Sequence, residues 1–219
     1  MTAVMTLLGD LDPRRRLLIG IVGAPGSGKS TLAEEAARRL SAKGTPAQVL
    51  PMDGYHLSQA RLRELGRRER MGAPDTFDTA DFVQTLRALR RDRDVAIPLF
   101  DREVEEPVPD AGLVPASTRV VLVEGNYLLF ETGGWTPVRE LLDRVVFLEA
   151  PEELRRRRLR ARHVLYGKSE AEAIAWIERV DDPNARRIAQ TRHRADAVLD
   201  PAAPPTNPPI PLSSAQERS

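Results

Sequence analysis

The sequence of 219 residues contains no cysteine, which excludes disulfide bonds, cysteine-ligated zinc sites and thiol catalysis. Its three histidines are scattered along the chain, so a histidine-rich metal site is also excluded. No apolar run approaches the roughly 18 residues that a transmembrane helix needs. The net charge of +1 and the aromatic content of 5% give little support for binding to nucleic acid. We therefore expect neither a membrane nor nucleic acid as a partner.

Arginine supplies nearly all of the positive charge, with 30 arginines against 3 lysines. At the N-terminus the basic cluster follows the apolar residues, which is the reverse of a secretory signal, and we predict a cytoplasmic location. The length and the apolar content of 41% suit one globular domain, predicted over residues 1–200. Residues 201–219 begin with six prolines in eleven positions and are predicted to form a flexible tail.

A glycine-rich stretch indicates the chemistry. Residues 23–30 read GAPGSGKS, with the spacing G-x-x-x-x-G-K-S of a phosphate-binding P-loop. Glycines let the backbone N–H groups turn towards anionic oxygens, the lysine reaches the β- and γ-phosphates, and the serine hydroxyl binds Mg²⁺. The ligand is therefore predicted to be a nucleoside triphosphate, and the nucleotide-binding residues are Gly23, Ala24, Gly26, Ser27, Gly28, Lys29, Ser30 and Thr31.

The surroundings of this loop agree with a P-loop. An apolar run, RLLIGIV, precedes it and suits a buried parallel strand. The apolar residues that follow it recur at the spacing of a helix. Strands and helices alternate along the rest of the chain, and the clearest further strands are predicted at 47–52, 119–125 and 143–150. This alternation predicts an α/β fold with a parallel five-stranded sheet and helices on both faces.

Local signals predict several helix starts. Asp78 is a plausible N-cap, and Ser169 with Glu172 forms a capping-box pattern. Asp182 followed by Pro183 predicts the start of a separate last helix. The segment VAIPLFDREVEEPVP is extended and interrupted by prolines, which favours an irregular strand or a hairpin.

An acidic residue follows the second predicted strand. Asp53, in PMDGYHL, stands where the carboxyl end of a strand faces the γ-phosphate in a doubly wound sheet. An acid there can accept the proton of a substrate hydroxyl or help to hold Mg²⁺, although loop aspartates more often cap a helix. Tyr55 and His56 are candidates for a substrate pocket or for half-buried loop side chains.

Five stretches together carry a family resemblance: GAPGSGKST, MDGYHL, RMGAPDTFD, IPLFDR and VVLVEGNYLL. Over residues 17–200 the chain resembles the superfamily of phosphoribulokinase, uridine kinase and bacterial pantothenate kinase. The resemblance implies an ATP-dependent small-molecule kinase with Asp53 as catalytic base. It also implies Mg²⁺ at Ser30 and Glu124, with a salt bridge to an arginine as the alternative for Glu124. It implies substrate contacts from Asp101 and Arg102, with an ion-paired loop as the alternative.

Six arginines occupy positions 155–162, and Arg155, Arg158 and Arg162 share one helical stripe. Kinases of this superfamily close a helical lid that brings arginines onto the transferred phosphoryl group. We therefore predict a lid at roughly 151–168, with Arg158 and Arg162 at the phosphate and Lys168 as a weaker candidate. Most of the six arginines are expected to form a solvated basic face.

The acceptor of the phosphoryl group is left open by the sequence. The stretches EGNYLL, RHVLYGKSEAEA and DDPNARRI resemble a bacterial group of nucleoside/nucleotide kinase-like or fructokinase-like proteins. A nucleoside is the first candidate, and pantothenate or a sugar such as fructose is the alternative. An ATP-binding regulator without an acceptor, a scaffold whose tail binds a partner, and a homodimer also stay open.

Overall fold

Seven strands form two sheets in the computed structural model, which describes residues 15–200. The strands are β1 Leu17–Gly23, β2 Ala47–Pro51, β3 Val95–Asp101, β4 Glu106–Val114, β5 Val120–Gly125, β6 Arg144–Leu148 and β7 Ala197–Leu199. Five of them make one parallel sheet in the order β2–β5–β1–β6–β7, as predicted. The other two, β3 and β4, pair as an antiparallel hairpin with an irregular register between Ile97 and Leu99.

Six α-helices surround these strands. They are α1 Lys29–Ala42, α2 Gln59–Glu64, α3 Thr79–Leu89, α4 Glu152–Leu165, α5 Glu170–Trp176 and α6 Asp182–Ala189. Within residues 15–200, no helix combines the length and the apolarity needed to cross a bilayer.

The sheet is covered on both faces because its central strands are apolar on both sides. On one face Leu17, Ile19 and Ile21 pack with apolar residues of α1 such as Ala33 and Leu40. On the other face Leu18 and Val22 belong to a larger core that includes apolar residues of α3 and α6. The predicted three-layer α/β architecture is confirmed. It brings the carboxyl ends of the parallel strands to one edge, where ligands bind in such sheets.

Two of the predicted helix starts are confirmed. Asp78 caps α3 by accepting a hydrogen bond from the N–H of Asp81 at 2.9 Å. Ser169 and Glu172 form the reciprocal capping box of α5. Such caps satisfy N–H groups that have no partner inside the helix.

The prediction that Asp182 begins a separate helix as its N-cap was wrong. A π-helical turn at Ile177–Asp181 joins α5 to α6, and Asp182 itself has right-handed helical angles. The wider turn accommodates Pro183, which has no N–H for a bond to the preceding turn. The Asp182 carboxylate instead accepts a hydrogen bond from Arg155 of α4 at 2.9 Å.

The predicted lid range, 151–168, corresponds to α4 and the loop that follows it. Its closing movement, and the single domain over residues 1–200, remain predictions. The proline-rich segment 201–219 lies outside the described residues.

Candidate active site

The P-loop joins β1 to α1 and has the backbone that the glycines predict. Gly26 and Gly28 have φ angles of 79° and 98°, in the left-handed region that favours glycine. A Cβ atom on Gly26 would lie 2.7 Å from the carbonyl oxygen of Arg155, so the loop also packs directly against α4. Gly28 is the N-cap of α1, and Lys29, Ser30 and Thr31 follow in the first turn of the helix. The loop therefore presents a helix N-terminus to an anion.

A cavity of about 520 Å³ lies over the loop. Its floor is Gly26 to Leu32, and its wall includes Arg158 and Arg162 of α4. Gly23, by contrast, is buried at the end of β1, where a Cβ atom would meet the Ser27 hydroxyl at 2.5 Å. The cavity unites most of the predicted nucleotide-binding residues with the two arginines chosen from the stripe.

Glu124, at the end of β5, faces the P-loop lysine. Its Oε2 lies 3.9 Å from Nζ of Lys29, and both side chains are buried. Burial raises the pKa of the Glu124 carboxyl group, while the Lys29 charge and a hydrogen bond with the Ser30 side chain oppose that rise. The Oε2 atom has no hydrogen-bond partner among the described residues. A buried, unpartnered carboxylate oxygen beside Ser30 suits a hard cation such as Mg²⁺.

Asp53 lies in a 3₁₀ turn, Met52–Tyr55, immediately after β2. The β3–β4 hairpin packs against this turn at Gly54, where a Cβ atom would lie 2.2 Å from the Pro98 carbonyl oxygen. This close approach brings Arg102 to Asp53, and its Nη2 donates a hydrogen bond to Oδ2 at 2.7 Å.

The surroundings of Asp53 keep its carboxylate ionised. Burial raises the pKa of Asp53, but His56 and the cations Arg102, Lys29 and Arg162 lower it by more. The resulting pKa lies well below the ordinary value of a carboxyl group. At neutral pH Asp53 therefore carries a negative charge that faces the P-loop lysine.

The other predicted substrate residues have different positions. His56 packs between Phe77 and Phe100, with ring centroids at 4.0 and 4.7 Å, and its Nδ1 lies 2.7 Å from the Asp53 carbonyl oxygen. Tyr55 instead points into the core against Phe82. His56 lines a cavity beside Asp53, whereas Tyr55 does not.

Asp101 does not line the cavity beside Asp53 either. Its Oδ1 accepts hydrogen bonds from the N–H groups of Glu103 and Val104, at 2.9 and 3.3 Å. A short aspartate side chain commonly stabilises a turn in this way. Of the two predicted substrate residues of the PLFDR segment, Arg102 lines the cavity beside Asp53 and Asp101 does not.

The arginine stripe of α4 faces the P-loop. Arg155 is buried and donates from Nη1 to the Pro25 carbonyl oxygen at 3.2 Å, so it holds the loop in place. Arg158 donates to the carbonyl oxygen of Ser27 at 3.1 Å. Arg160 and Arg156 instead pair with acidic residues at the surface, as expected of a solvated face.

A second cavity, of about 130 Å³, lies beside Asp53. We call it the acceptor pocket. Lys29 and Arg162 line this pocket and also the cavity over the P-loop. These two cations are therefore common to the walls of both cavities, and we call their position the junction. The acceptor pocket is further lined by Asp53, His56, Phe77, Phe100, Arg102, Glu105, Asn126, His163, Lys168, Trp176 and Asp181.

Sequence reasoning missed several of these lining residues. Asn126 directly follows the Glu-Gly pair at the end of β5, and this position alone could have identified it. His163 of α4 lies 2.9 Å from Asp181 of the π-helical turn, measured between Nε2 and Oδ2. No sequence pattern predicts that turn, so the pair could not have been found.

Comparisons with known proteins agree with this geometry. Residues 18–204 match the family described as Phosphoribulokinase / Uridine kinase. The chain is 33% identical over 199 residues to the protein YggC of Escherichia coli (strain K12), covering 90% of this chain and 83% of the relative. It is 35% identical over 147 residues to a uridine kinase of Leuconostoc citreum (strain KM20), covering 64% of each chain.

A solved structure gives a similar result. The protein from Silicibacter sp. TM1040 described as "putative fructose transport system kinase" is 40% identical, with a TM-score of 0.83. The alignment covers 90% of this chain and 96% of that one. Together with the family match over most of the chain, these similarities establish that the protein belongs to the phosphoribulokinase/uridine kinase family of ATP-dependent small-molecule kinases.

Proposed function

We propose that the protein transfers the γ-phosphoryl group of ATP to a hydroxyl group of a small metabolite bound beside Asp53. The observation that carries this proposal is the junction of the two cavities, which Lys29 and Arg162 both line. Phosphoryl transfer needs the donor and the acceptor to meet between groups that stabilise negative charge. A triphosphate on the P-loop and a hydroxyl beside Asp53 would meet at this junction.

The nucleotide would be held by the loop backbone and by cations. The N–H groups at the start of α1 would bind phosphate oxygens, with Lys29 at the β- and γ-phosphates. Arg162, at the junction, would contact the transferred group, and Arg158 of α4, which donates a hydrogen bond to the P-loop at Ser27, would bind on the nucleotide side. A guanidinium fork suits the charge that spreads over phosphoryl oxygens in the transition state.

Ser30 and Glu124 would hold Mg²⁺. The Oε2 atom of Glu124 fits this role, since a buried carboxylate oxygen without a hydrogen-bond partner is unfavourable. When bound, the ion supplies charge neutralisation on the phosphate oxygens. The Lys29 ammonium group, 3.9 Å from Oε2, opposes the rise that burial causes in the pKa of Glu124.

Asp53 would be the general base. As the acceptor oxygen forms its bond to the γ-phosphorus, the bond to the bridging oxygen of ADP breaks, and the hydroxyl proton passes to the Asp53 carboxylate. The Arg102 hydrogen bond to Oδ2 fixes the orientation of this carboxylate. Oδ1 is left for the hydroxyl group. Arg102 and His56 would also contact the acceptor.

A nucleoside is our first candidate for the acceptor, supported by the relative that is named uridine kinase. A sugar is the second candidate, since the 40% identical structure is described as a "putative fructose transport system kinase". Pantothenate is the third, from the DGYH form of the Asp53 segment.

An ADP-release assay with Mg²⁺ tests the proposal directly. Purified protein is given ATP with panels of nucleosides, sugars and pantothenate, and each rate is compared with hydrolysis of ATP alone. We expect one panel to raise the rate at least about tenfold, and Lys29→Ala to abolish that increase because it removes a phosphate contact. A slow hydrolysis rate that no acceptor changes would instead support an ATP-binding regulator and contradict the proposal.

A further inference from the structure

Asn126, just beyond β5, has a buried amide oxygen without a hydrogen-bond partner. The residue is 8% exposed, and Oδ1 forms no hydrogen bond within residues 15–200. Buried carbonyl oxygens in native proteins nearly always have a partner, because losing water without compensation is unfavourable. Asn126 lines the acceptor pocket, so a bound molecule is the partner that this position offers.

The sheet register places Asn126 beside the proposed base. Pro51 of β2 pairs with Glu124 of β5, and Asp53 and Asn126 each lie two residues further along their chains. Neighbouring strands are about 4.8 Å apart. Both side chains line the same small pocket. A hydroxyl group bound at Asp53 would therefore bring the neighbouring atoms of the same molecule close to Asn126.

His56, in the neighbouring wall of the pocket, offers a second hydrogen-bond acceptor. Because Nδ1 of His56 lies 2.7 Å from a carbonyl oxygen, this nitrogen carries the proton and donates. Burial lowers the pKa of His56, which favours the neutral ring, and in the neutral ring Nε2 is an acceptor. Carboxylate and phosphate groups have no proton to give to such acceptors, whereas hydroxyl groups do.

We propose that Asn126 determines acceptor specificity by hydrogen bonding to a second hydroxyl group, close along the acceptor to the one that is phosphorylated. The acceptor class is then a polyol, such as a sugar or the ribose of a nucleoside. A hydroxyl group suits either atom of the amide, since it donates to the oxygen and accepts from the nitrogen. This inference rests on the proposed function, in which the pocket beside Asp53 holds the acceptor.

The test compares an acceptor found in the ADP-release screen with analogues that each lack one hydroxyl group. For the unmodified protein we expect the analogue that lacks the recognised hydroxyl to lose about 10- to 100-fold in kcat/KM. In Asn126→Leu, which has a similar size and no hydrogen-bonding group, this ratio falls to within about threefold. Asn184→Ala is the matched control, because Asn184 is similarly buried but is absent from the pocket lining.

A ratio between two acceptors does not depend on the fraction of each variant that is folded, so partial misfolding cannot mimic the result. Should Asn126→Leu keep the full ratio, the inference is wrong. The inference is also wrong if the variant keeps the full ratio and only requires a higher Mg²⁺ concentration. That result would indicate that Asn126 helps to bind the metal.

A binding measurement separates this inference from the proposed function. Thermal stabilisation by the same polyols is measured with a non-hydrolysable ATP analogue, so no transfer is needed. Stabilisation that is lost in Asn126→Leu and kept in Asn184→Ala supports the inference even where no transfer occurs. If no polyol stabilises the protein, or if the Leu variant responds like the unmodified protein, the inference fails.

Discussion

Arg102 and Asp53 form an ion pair at 2.7 Å, although they are 49 residues apart and belong to different structural units. Asp53 follows a strand of the central sheet, whereas Arg102 lies in the turn of the β3–β4 hairpin. The hairpin therefore contributes directly to the ionisation of Asp53, the proposed base, and this contribution can be measured.

Arg102→Met should move the acidic limb of the pH profile of kcat/KM to higher pH. In the unmodified protein the pKa of Asp53 is lowered, so the carboxylate is ionised throughout the range from pH 5 to 8. Arg102→Met removes one of the charges that oppose the effect of burial, so the pKa of Asp53 rises. Activity is measured from pH 4 to 8, with the exposed Arg91→Met as control. An unchanged profile would show that Arg102 does not set this pKa.

Asp53→Asn should lower kcat with the acceptor by about 10²- to 10⁴-fold, since the amide keeps the shape and cannot accept the proton. Binding of ATP without Mg²⁺ should stay within about threefold, because the proposed contacts come from the P-loop. Asp101→Asn is the matched control, as its carboxylate only caps a turn one residue from Arg102. If Asp53→Asn retains full transfer, the base lies elsewhere, and Glu124 becomes the first candidate.

Gly54→Ala should separate the hairpin from the base. The new Cβ would lie 2.2 Å from the Pro98 carbonyl oxygen, so the backbone of β3 must move and the Arg102–Asp53 contact lengthens. We expect acceptor phosphorylation to fall at least about tenfold and the melting temperature to fall by several degrees. In Gly66→Ala the new atom has no neighbour within 4 Å, so only the strain at φ 64° remains, and activity should hold. Equal activities of the two variants would contradict this prediction.

Asp143→Asn should make the free energy of unfolding less dependent on pH in the acidic range. Burial raises the pKa of Asp143, but hydrogen bonds from Arg90 and from the N–H of Leu18 outweigh it and lower the pKa. A lowered folded-state pKa stabilises the protein above the unfolded value of about 3.9, and this contribution is lost as the pH falls through the folded-state pKa.

The free energy of unfolding of Asp143→Asn should therefore be about 1–3 kcal/mol lower at pH 7, with the difference shrinking below about pH 4. Urea titrations at pH 7 and pH 3 measure it, with the exposed Glu103→Gln as control. A difference of equal size at both pH values would mean that the charge of Asp143 is unimportant.

The sheet, the P-loop and the arginine stripe could be predicted because each depends on short-range patterns. Apolar runs identify buried strands, glycine spacing identifies the loop, and positions 155, 158 and 162 share one helical face. Tyr55 and Asp101 show the limit of this reasoning. Both flank residues of the pocket, but their side chains point to the core and to a turn, because direction depends on backbone angles that the sequence does not reveal.

Contacts between distant segments could not be predicted at all. Arg16 looks like part of an exposed basic cluster, but it is 2% exposed and donates to carbonyl oxygens of Thr118 and Pro115. Asn126 and the His163–Asp181 pair reach the acceptor pocket only through the sheet register and the π-helical turn. No local pattern specifies such partners, since each is more than ten residues away in the chain.

Arg162→Ala should lower kcat far more than it changes the KM for ATP. Arg162 lines both cavities and forms no ion pair with any described residue, so its guanidinium group is available to the transferred phosphoryl group. Charge spreads over that group mainly in the transition state, and removing one such donor typically costs about 10²- to 10³-fold in kcat. Arg157→Ala is the matched control, because Arg157 is an exposed arginine of the same helix and should leave both constants within about twofold. Steady-state kinetics with saturating acceptor give kcat and KM separately. A rise in KM at constant kcat would instead assign Arg162 to ground-state nucleotide binding, and it would remove the argument that the junction of the two cavities is where transfer takes place.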